Sequence, residues 1–387
     1  MNSEIILQIF SGGFRGNGVS FEEVEKKLVS VLPEMQVSKV IMGWSPNKLL
    51  YEKTAEFLAK RNIEFFLWFP VFSETGALKD QSPLVDIQGI ELKSSNKTSH
   101  EDFSFCCPNN PQNIENIFAI FEEHFSPVPF TGIFLDKIRY PSLAQKGVFS
   151  CFCPHCLEEY EKENFDVKLL KNVISNFSSL PLGITGFSNS GKYEFKDDII
   201  SRFFSLKADF IHRCMRQICR YFSEKGLLIG MDVFAPFLSP FTGQDLQKLS
   251  GLCNFMKPMM YRLTNAPAGL PFETEVLLQE TGCTNQEEKQ IFYDILGLDS
   301  QQQVFDLEFA VKDLKALVSS SACPVYAGVE INRIENIAEV YPPYIEETMT
   351  AYAGTGTRGF VLSWDLLSAP EENIMQAGET VKKLSLR

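Results

Sequence analysis

Hydrophobic residues follow two alternating patterns from one end of the chain to the other. Eight short runs are apolar at nearly every position, as in parallel strands that are covered on both faces. These runs span residues 5–10, 40–44, 65–71, 132–138, 227–234, 255–261, 325–331 and 359–366. Eight such strands separated by longer segments predict an α/β protein with the (β/α)8 TIM-barrel fold.

The segments between these runs carry apolar residues at a spacing of three or four, which predicts amphipathic helices. In segment 21–32, for example, Val24, Leu28 and Val31 fall on one stripe. Further helices are predicted at 51–60, 114–125, 199–223, 307–318, 345–352 and 373–384. Each predicted helix therefore has one face that can cover the strands.

An open, doubly wound sheet is the alternative arrangement for alternating strands and helices. Such a sheet usually carries a GxGxxG turn after its first strand. Here the corresponding segment reads SGGFRGNG, which lacks that spacing. The barrel is therefore preferred, and a chain of 387 residues is long enough for one barrel with insertions.

Two connections are longer than the others. Residues 73–105, after the third strand, are rich in Ser, Lys and Asp, and residues 141–226, after the fourth, contain FSCFCPHC and SNSGKYEFKDD. Long loops that follow barrel strands fall on the catalytic face. Because no repeat or linker divides the chain, we predict one domain over residues 1–387, with an insertion at about 141–226 between strands four and five.

Charge and composition narrow the class of partner. A net charge of −13, with no basic run, argues against nucleic-acid binding. No apolar stretch reaches the roughly 18 residues that span a bilayer, and the N-terminus MNSEIILQIFSGG has no signal-peptide pattern. We expect a cytoplasmic protein with no membrane partner. Its ten cysteines should then be thiols or metal ligands.

Charged and aromatic residues interrupt the later strands near their carboxyl ends, where barrel enzymes have their active sites. A charge within an apolar strand is costly to bury unless it is paired or functional. The residues are Asp136, Arg139, Asp232, Lys257, Tyr261, Arg262, Glu330, Asn332, Trp364 and Asp365. An ion pair inside the barrel, such as Asp232 with Lys257, is the alternative explanation for any one of them.

Two carboxylates across a pocket can cleave a glycosidic bond, one as the acid and the other as nucleophile or base. Strands four and seven lie on opposite sides of a barrel, so Asp136 and Glu330 are the predicted pair, with Asp232 as the alternative partner of Asp136. The three tryptophans lie at or near strand ends, where their rings suit a sugar. The predicted substrate-binding residues are Arg139, Trp44, Trp68, Lys257, Tyr261, Trp364 and Asp365. We thus expect a glycoside substrate and no organic cofactor.

Two other functions remain open. A Schiff-base lyase or aldolase would use Lys257, provided that burial lowers its pKa. Asp232 nearby would keep that lysine protonated, and no phosphate-binding glycine loop follows strands seven or eight. The second alternative is a barrel that binds carbohydrate without catalysis.

A cluster of cysteines follows the fourth strand. Cys151, Cys153 and Cys156 form C-x-C-P-H-C, a spacing at which three thiolates can converge on one zinc ion. Cys107 or Cys106, in FCCPNNP, would supply the fourth ligand. Four thiolates leave no open position, so this zinc would be structural. Reduced thiols without a metal are the alternative.

The motifs CPNNP and CFCPHC together resemble the zinc cluster of family 42 β-galactosidases, which lies beside a (β/α)8 active site. This resemblance implies catalytic residues on strands four and seven: Glu330 in GVEIN matches the second position, while Asp136 stands where that family has an Asn-Glu pair. The strand GIFLDKIRYP also resembles the DGI-x-x-D-x-x-RYP strand of uncharacterised glycosyl hydrolase-like barrels. Both resemblances imply a glycosidase-like barrel.

Overall fold

Eight parallel strands build the core of the molecule. The computed structural model describes residues 3–11, 18–73, 82–92, 104–145, 147–176, 181–188, 191–280, 283, 285–298 and 304–386. The strands are β1 (Glu4–Ile9), β2 (Val37–Gly43), β3 (Glu64–Pro70), β4 (Gly132–Asp136), β5 (Leu228–Val233), β6 (Phe255–Pro258), β7 (Tyr326–Glu330) and β8 (Gly359–Ser363). All eight predicted strands are confirmed, and the fold is a (β/α)8 barrel. Residues 74–81 and 93–103 of the predicted long loop after β3 lie outside the described residues.

The strands are hydrogen-bonded in the order β6-β5-β4-β3-β2-β1-β8-β7. Neighbours in this order share ladders of four or five paired residues. The two end strands, β6 and β7, meet through one parallel bridge between Met256 and Val325, where the Met256 N–H donates to the carbonyl of Pro324 over 3.0 Å. The barrel is thus nearly closed, and in the part of the chain that is described its seam between β6 and β7 is the weakest strand junction.

Helices surround the strands. They are α1 (Phe21–Val31), α2 (Lys48–Ala59), α3 (Pro111–His124), α4 (Pro154–Lys162), α5 (Val167–Ser175), α6 (Asp198–Glu224), α7 (Leu246–Ser250), α8 (Leu270–Glu280), α9 (Gln286–Leu296), α10 (Leu307–Ser320), α11 (Pro342–Ala353) and α12 (Glu371–Ser385). The predicted stripe of α1 is buried, and Ser20 and Glu23 cap its first turn reciprocally. Among the described residues, no helix is both long enough and apolar enough to cross a membrane.

The segment between β4 and β5 contains α4, α5, α6 and an antiparallel hairpin of Ile184–Phe187 with Tyr193–Phe195. Aromatic rings pack this segment together; Phe152 stacks on Phe203 of α6 with ring centroids 5.8 Å apart. Its buried residues belong to the same apolar cluster as the outer faces of the strands. We therefore propose that the insertion and the barrel form one domain.

The inside of the barrel has two layers, because side chains two residues apart on a strand point to the same face. The first layer is apolar and consists of Ile6, Ile41, Phe66, Phe134, Phe255, Tyr326 and Val361. Nearer the carboxyl ends, on the same face, stand Gln8, Trp68, Asp136, Asp232, Lys257, Glu330 and Ser363. The second layer is polar, and we call it the polar layer below.

Candidate active site and metal centre

An ion pair lies at the centre of the polar layer. Lys257 Nζ donates to Asp232 Oδ2 over 3.0 Å, to the Tyr261 hydroxyl over 2.6 Å and to Gln8 Oε1 over 3.5 Å. Lys257 has space because Gly328 faces it: a Cβ at that position would lie 2.8 Å from the lysine Cε. Asp232 and Lys257 are 3% and 0% exposed. The ion pair that the sequence suggested is therefore present and almost completely buried.

Burial raises the pKa of Asp232 to about 7, and the negative charge of Asp136 adds to this effect while Lys257 opposes it. Burial alone would lower the pKa of Lys257, but Asp232 and Tyr261 together raise it to about 12. Lys257 therefore carries its proton at neutral pH. A protonated amine cannot attack a carbonyl, so these contacts argue against the Schiff-base alternative.

Asp136 lies at the end of β4, next to this ion pair. Its Oδ2 accepts the indole N–H of Trp68 over 2.9 Å, and its Oδ1 accepts the backbone N–H of Lys137 over 2.5 Å. Arg139 is buried nearby and interacts electrostatically with both Asp136 and Asp232. The structure thus groups two carboxylates and two cations at the ends of β4, β5 and β6.

Glu330, at the end of β7, has a different environment. Its oxygens accept the backbone N–H groups of Arg262, Leu263 and Thr264 over 2.9, 3.1 and 2.7 Å. The hydroxyls of Thr264, at 2.6 Å, and of Tyr344 donate to it as well. The residue is 1% exposed. Glu330 therefore anchors the loop after β6 with both of its oxygens.

These contacts bear on the choice of carboxylate pair that the sequence left open. The predicted partner of Asp136 was Glu330, but neither Glu330 oxygen is free for a substrate. Asp232 instead has one buried oxygen, Oδ1, with no hydrogen-bond partner, and it interacts electrostatically with Asp136. The geometry favours the alternative pair, Asp136 with Asp232.

Two tryptophans lie beside the polar layer, and the third packs outside the barrel. Trp68 points into the barrel and contacts Asp136, and Trp364 is half-buried with its ring centroid 6.1 Å from that of Tyr261. Trp44, expected to bind substrate, instead packs against Phe69 outside the barrel, at 5.1 Å between centroids. Gly43, the residue before it, faces inward, so the side chain of Trp44 points towards the helices.

Asp365 also has a different environment from the one expected of a substrate ligand. Its Oδ1 accepts the backbone N–H of Phe10 over 3.1 Å, and its Oδ2 accepts that of Ser368 over 3.2 Å. Asn332 fastens the same loop, because its Oδ1 accepts the backbone N–H of Trp364 over 2.9 Å. Asp365 thus shapes the loop after β8, and Asn332 positions Trp364.

The sequence reasoning missed Gln8 and Ser363. Gln8 Oε1 accepts the Ser363 hydroxyl over 3.1 Å and lies 3.5 Å from Lys257 Nζ, whereas Gln8 Nε2 is buried with no hydrogen-bond partner. The strand pattern contained a signal for both residues. Gln8 lies two positions after the inward-facing Ile6, and Ser363 lies two positions after the inward-facing Val361, so each polar side chain points into the barrel.

Four cysteines converge beside the barrel. The sulfur atoms of Cys107, Cys151, Cys153 and Cys156 all lie within 4.8 Å of one another, and all four side chains are buried. Cys107 is 3.4 Å from Cys156 and 3.3 Å from Cys153, between sulfur atoms. A tetrahedral zinc with Zn–S bonds of about 2.3 Å requires sulfurs about 3.8 Å apart. These four residues form a group that fits a metal ion.

The surroundings of these sulfurs suit thiolates. The backbone N–H of Val85 points at Cys151 Sγ over 3.3 Å, and the side-chain amide of Asn109 at Cys156 Sγ over 3.4 Å. Cys106, the alternative fourth ligand, is not in the group; its backbone N–H bonds the carbonyl of Phe72, and burial raises the pKa of its thiol to about 12. Of the two candidates for the fourth ligand, Cys107 is therefore the one that lies in the group.

The barrel is similar to solved structures of glycoside hydrolases. The PgaB (BpsB) glycoside hydrolase domain from Bordetella bronchiseptica has a TM-score of 0.62 and 9% identity, over 98% of this chain and 99% of that chain. α-L-Fucosidase isoenzyme 2 from Paenibacillus thiaminolyticus has a TM-score of 0.56 and 12% identity over 100% of this chain and 49% of that chain, so this protein spans about half the fucosidase's length. Neither a family model nor a curated protein matches the sequence. At identities of 9% and 12%, this structural similarity shows the fold alone.

Proposed function

We propose that this protein is a glycoside hydrolase that cleaves O-glycosidic bonds with Asp136 and Asp232. One observation carries the proposal: two carboxylates of adjacent strands stand together in the polar layer, with Arg139 and Lys257 beside them. Burying four charges is costly, and packing alone gives no reason for it. The similarity of the fold to glycoside hydrolase barrels supports the same assignment.

The two carboxylates have environments that suit different roles. With a pKa of about 7, Asp232 holds a proton in a large fraction of molecules near neutral pH, as a general acid must. Asp136, which the indole N–H of Trp68 and the backbone N–H of Lys137 hold in place, would be the second carboxylate, which attacks the anomeric carbon or activates water.

The remaining contacts assign substrate-binding roles. Trp68 places its ring beside Asp136, and the half-buried Trp364 lies next to the buried Tyr261, whose hydroxyl accepts from Lys257. Aromatic faces of this kind stack on the C–H face of a sugar ring. Lys257 donates to Asp232, and Arg139 interacts electrostatically with both carboxylates. We therefore propose a carbohydrate as the substrate.

We also propose that Cys107, Cys151, Cys153 and Cys156 hold one structural zinc ion. Thiolates are ligands that zinc prefers, and the measured sulfur distances are near those of a tetrahedral shell. When bound, the ion would tie the connection after β3 to the connection after β4. Both connections lie at the carboxyl ends of the strands, so the proposed ion supports a wall of the site.

A screen of aryl glycosides and oligosaccharides tests the proposed activity. The wild-type protein should release the aglycone or reducing sugar from at least one substrate, and Asp136→Asn and Asp232→Asn should each reduce the rate of release by about 10²–10⁴-fold while keeping the far-UV spectrum of a folded protein. Trp44→Phe serves as the matched control for a tryptophan outside the site. Binding without turnover across the panel would instead identify a carbohydrate-binding barrel.

A further inference from the structure

Cys253 and Cys323 lie side by side at the amino-terminal ends of β6 and β7, at the opposite end of the barrel from the polar layer. Their Sγ atoms are 3.5 Å apart. Both side chains are partly exposed, whereas the other eight cysteines are buried. We propose that these two thiols form a redox-active pair, which small-molecule disulfides oxidise to an intramolecular disulfide.

The chain segments that carry the two cysteines already hold each other in place. The backbone N–H of Ala322 donates to the hydroxyl of Ser250 over 2.9 Å, and the Ser321 hydroxyl donates to the carbonyl of Cys323 over 2.8 Å. A disulfide requires about 2.05 Å between sulfurs, so the two atoms have to approach by about 1.5 Å. Side-chain rotation supplies a movement of this size without a change in the barrel.

The two thiols differ in reactivity. The hydrogen bond with Cys253, aided by that with Ser321, lowers the pKa of Cys323 to about 7 against the effect of burial. The same hydrogen bond, together with burial, raises the pKa of Cys253 well above its ordinary value. Of the two thiols, Cys323 therefore ionises more readily, and the thiolate is the attacking species in disulfide exchange.

Oxidised glutathione illustrates the chemistry. The Cys323 thiolate attacks one sulfur of the glutathione disulfide and releases one glutathione thiolate. Cys253 then loses its proton and attacks Cys323 in the mixed disulfide, which releases the second glutathione. Two electrons pass from the Cys323 thiolate and the Cys253 thiol to the glutathione disulfide; the proton of Cys253 ends on one released glutathione, and the other takes its proton from solvent.

The position of the pair gives the disulfide a structural consequence. β6 and β7 are joined by the single bridge between Met256 and Val325, so a covalent link there reinforces the weakest junction. The link closes a loop between residues 70 apart in sequence. A disulfide that closes a long loop restrains the unfolded chain. We expect oxidation to raise Tm by about 3–6 °C.

The test uses the full-length protein with oxidised glutathione, followed by thiol counting without denaturant and peptide mapping. Two thiols should be lost, and one cross-linked peptide pair should contain Cys253 and Cys323. Cys253→Ser should stop at a mixed disulfide on Cys323. The buried Cys219→Ser is the matched control and should form the same cross-link as wild type.

Three results would overturn the proposal. They are a wild-type protein whose Cys253 and Cys323 remain free thiols, a cross-link that joins other cysteines, and a cross-link that forms only after denaturant is added. If the protein with the mapped disulfide had an unchanged Tm, the disulfide would form but would not stabilise the junction between β6 and β7. None of these measurements depends on glycosidase activity, so they are independent of the function proposed above.

Discussion

Lys257 and Asp232 form an ion pair, 3.0 Å between Nζ and Oδ2, in which the two side chains are 0% and 2% exposed. Adjacent strands bring them together, because Asp232 and Lys257 are partners in the ladder between β5 and β6. Replacing such a pair by apolar residues is often neutral or stabilising. Stability alone therefore does not explain why the barrel keeps these charges, whereas a proton-transfer site does.

The first prediction concerns this pair. Lys257→Met removes the cation that opposes the effect of burial, so the pKa of Asp232 should rise further above 7. At pH 9 the ionised carboxylate is then buried without a partner and the free energy of unfolding should fall by about 3–5 kcal/mol, whereas at pH 6 Asp232 is protonated and most of this loss should disappear. Denaturant titrations at both pH values measure this. The double variant Asp232→Asn/Lys257→Met is the control, and a similar loss in it at both pH values would show that Lys257 acts through packing.

The second prediction concerns pH. The folded pKa of Asp232 is raised from 3.8 to about 7, so its contribution to stability is fully present below the unfolded pKa and is lost as the pH rises through 7. The same proton serves the proposed acid step. Log kcat/KM should therefore fall above pH 7, by about one unit per pH unit. Activity that stays constant from pH 6 to 9 would mean that Asp232 is not the acid.

The third prediction separates Glu330 from Asp136. Glu330→Gln places an amide N–H₂ among N–H donors, so it should destabilise the protein by about 1–3 kcal/mol while activity falls less than about tenfold. Asp136→Asn should reduce kcat by about 10²–10⁴-fold with little change in Tm. Kinetics and thermal melts of both variants show whether Glu330 acts in catalysis together with Asp136 or only stabilises the fold. Loss of turnover in Glu330→Gln at unchanged Tm would restore Glu330 as the catalytic partner.

The sequence predicted the eight strands, and the strand ends located Asp136, Asp232 and Lys257, because apolar runs and interrupting charges are local patterns. The environment of Glu330 was not predictable in this way. Its hydrogen-bond donors are residues 262–264 and Tyr344, which are distant from Glu330 in sequence and meet it only in the folded barrel. Trp44 was misplaced because a one-residue step at a strand end reverses the face of the side chain.

The fourth prediction compares two tryptophans. Trp68 faces the site and donates to Asp136, so Trp68→Phe should raise KM and lower kcat while leaving the packing of the outer layer intact. Trp44 packs between the barrel and α3, so Trp44→Ala should cost about 3–5 kcal/mol of stability and leave KM unchanged in the folded fraction. Steady-state kinetics and urea melts provide both readouts. A KM effect confined to Trp44 variants would reverse the two assignments.

The last prediction concerns the metal. Protein purified without added zinc should contain about one zinc ion per chain, and Cys107→Ser should lose it and melt at a lower temperature. A buried lysine, Lys207, lies near the site: its Nζ donates to the carbonyls of Gly147 and Val148, and burial lowers its pKa to about 7, while the negative charge of Cys151 opposes this effect.

A zinc ion with four thiolates carries a net charge of −2, which a buried ammonium nearby stabilises. Lys207→Met should therefore release zinc to a chromophoric chelator faster than wild type, whereas the exposed Lys171→Met should release it at the wild-type rate. Because the four-thiolate shell leaves no open position for a substrate, chelation should lower Tm more than it lowers kcat measured before unfolding. A protein that contains no zinc, with the same Tm in Cys107→Ser as in wild type, would show that the four cysteines are reduced thiols.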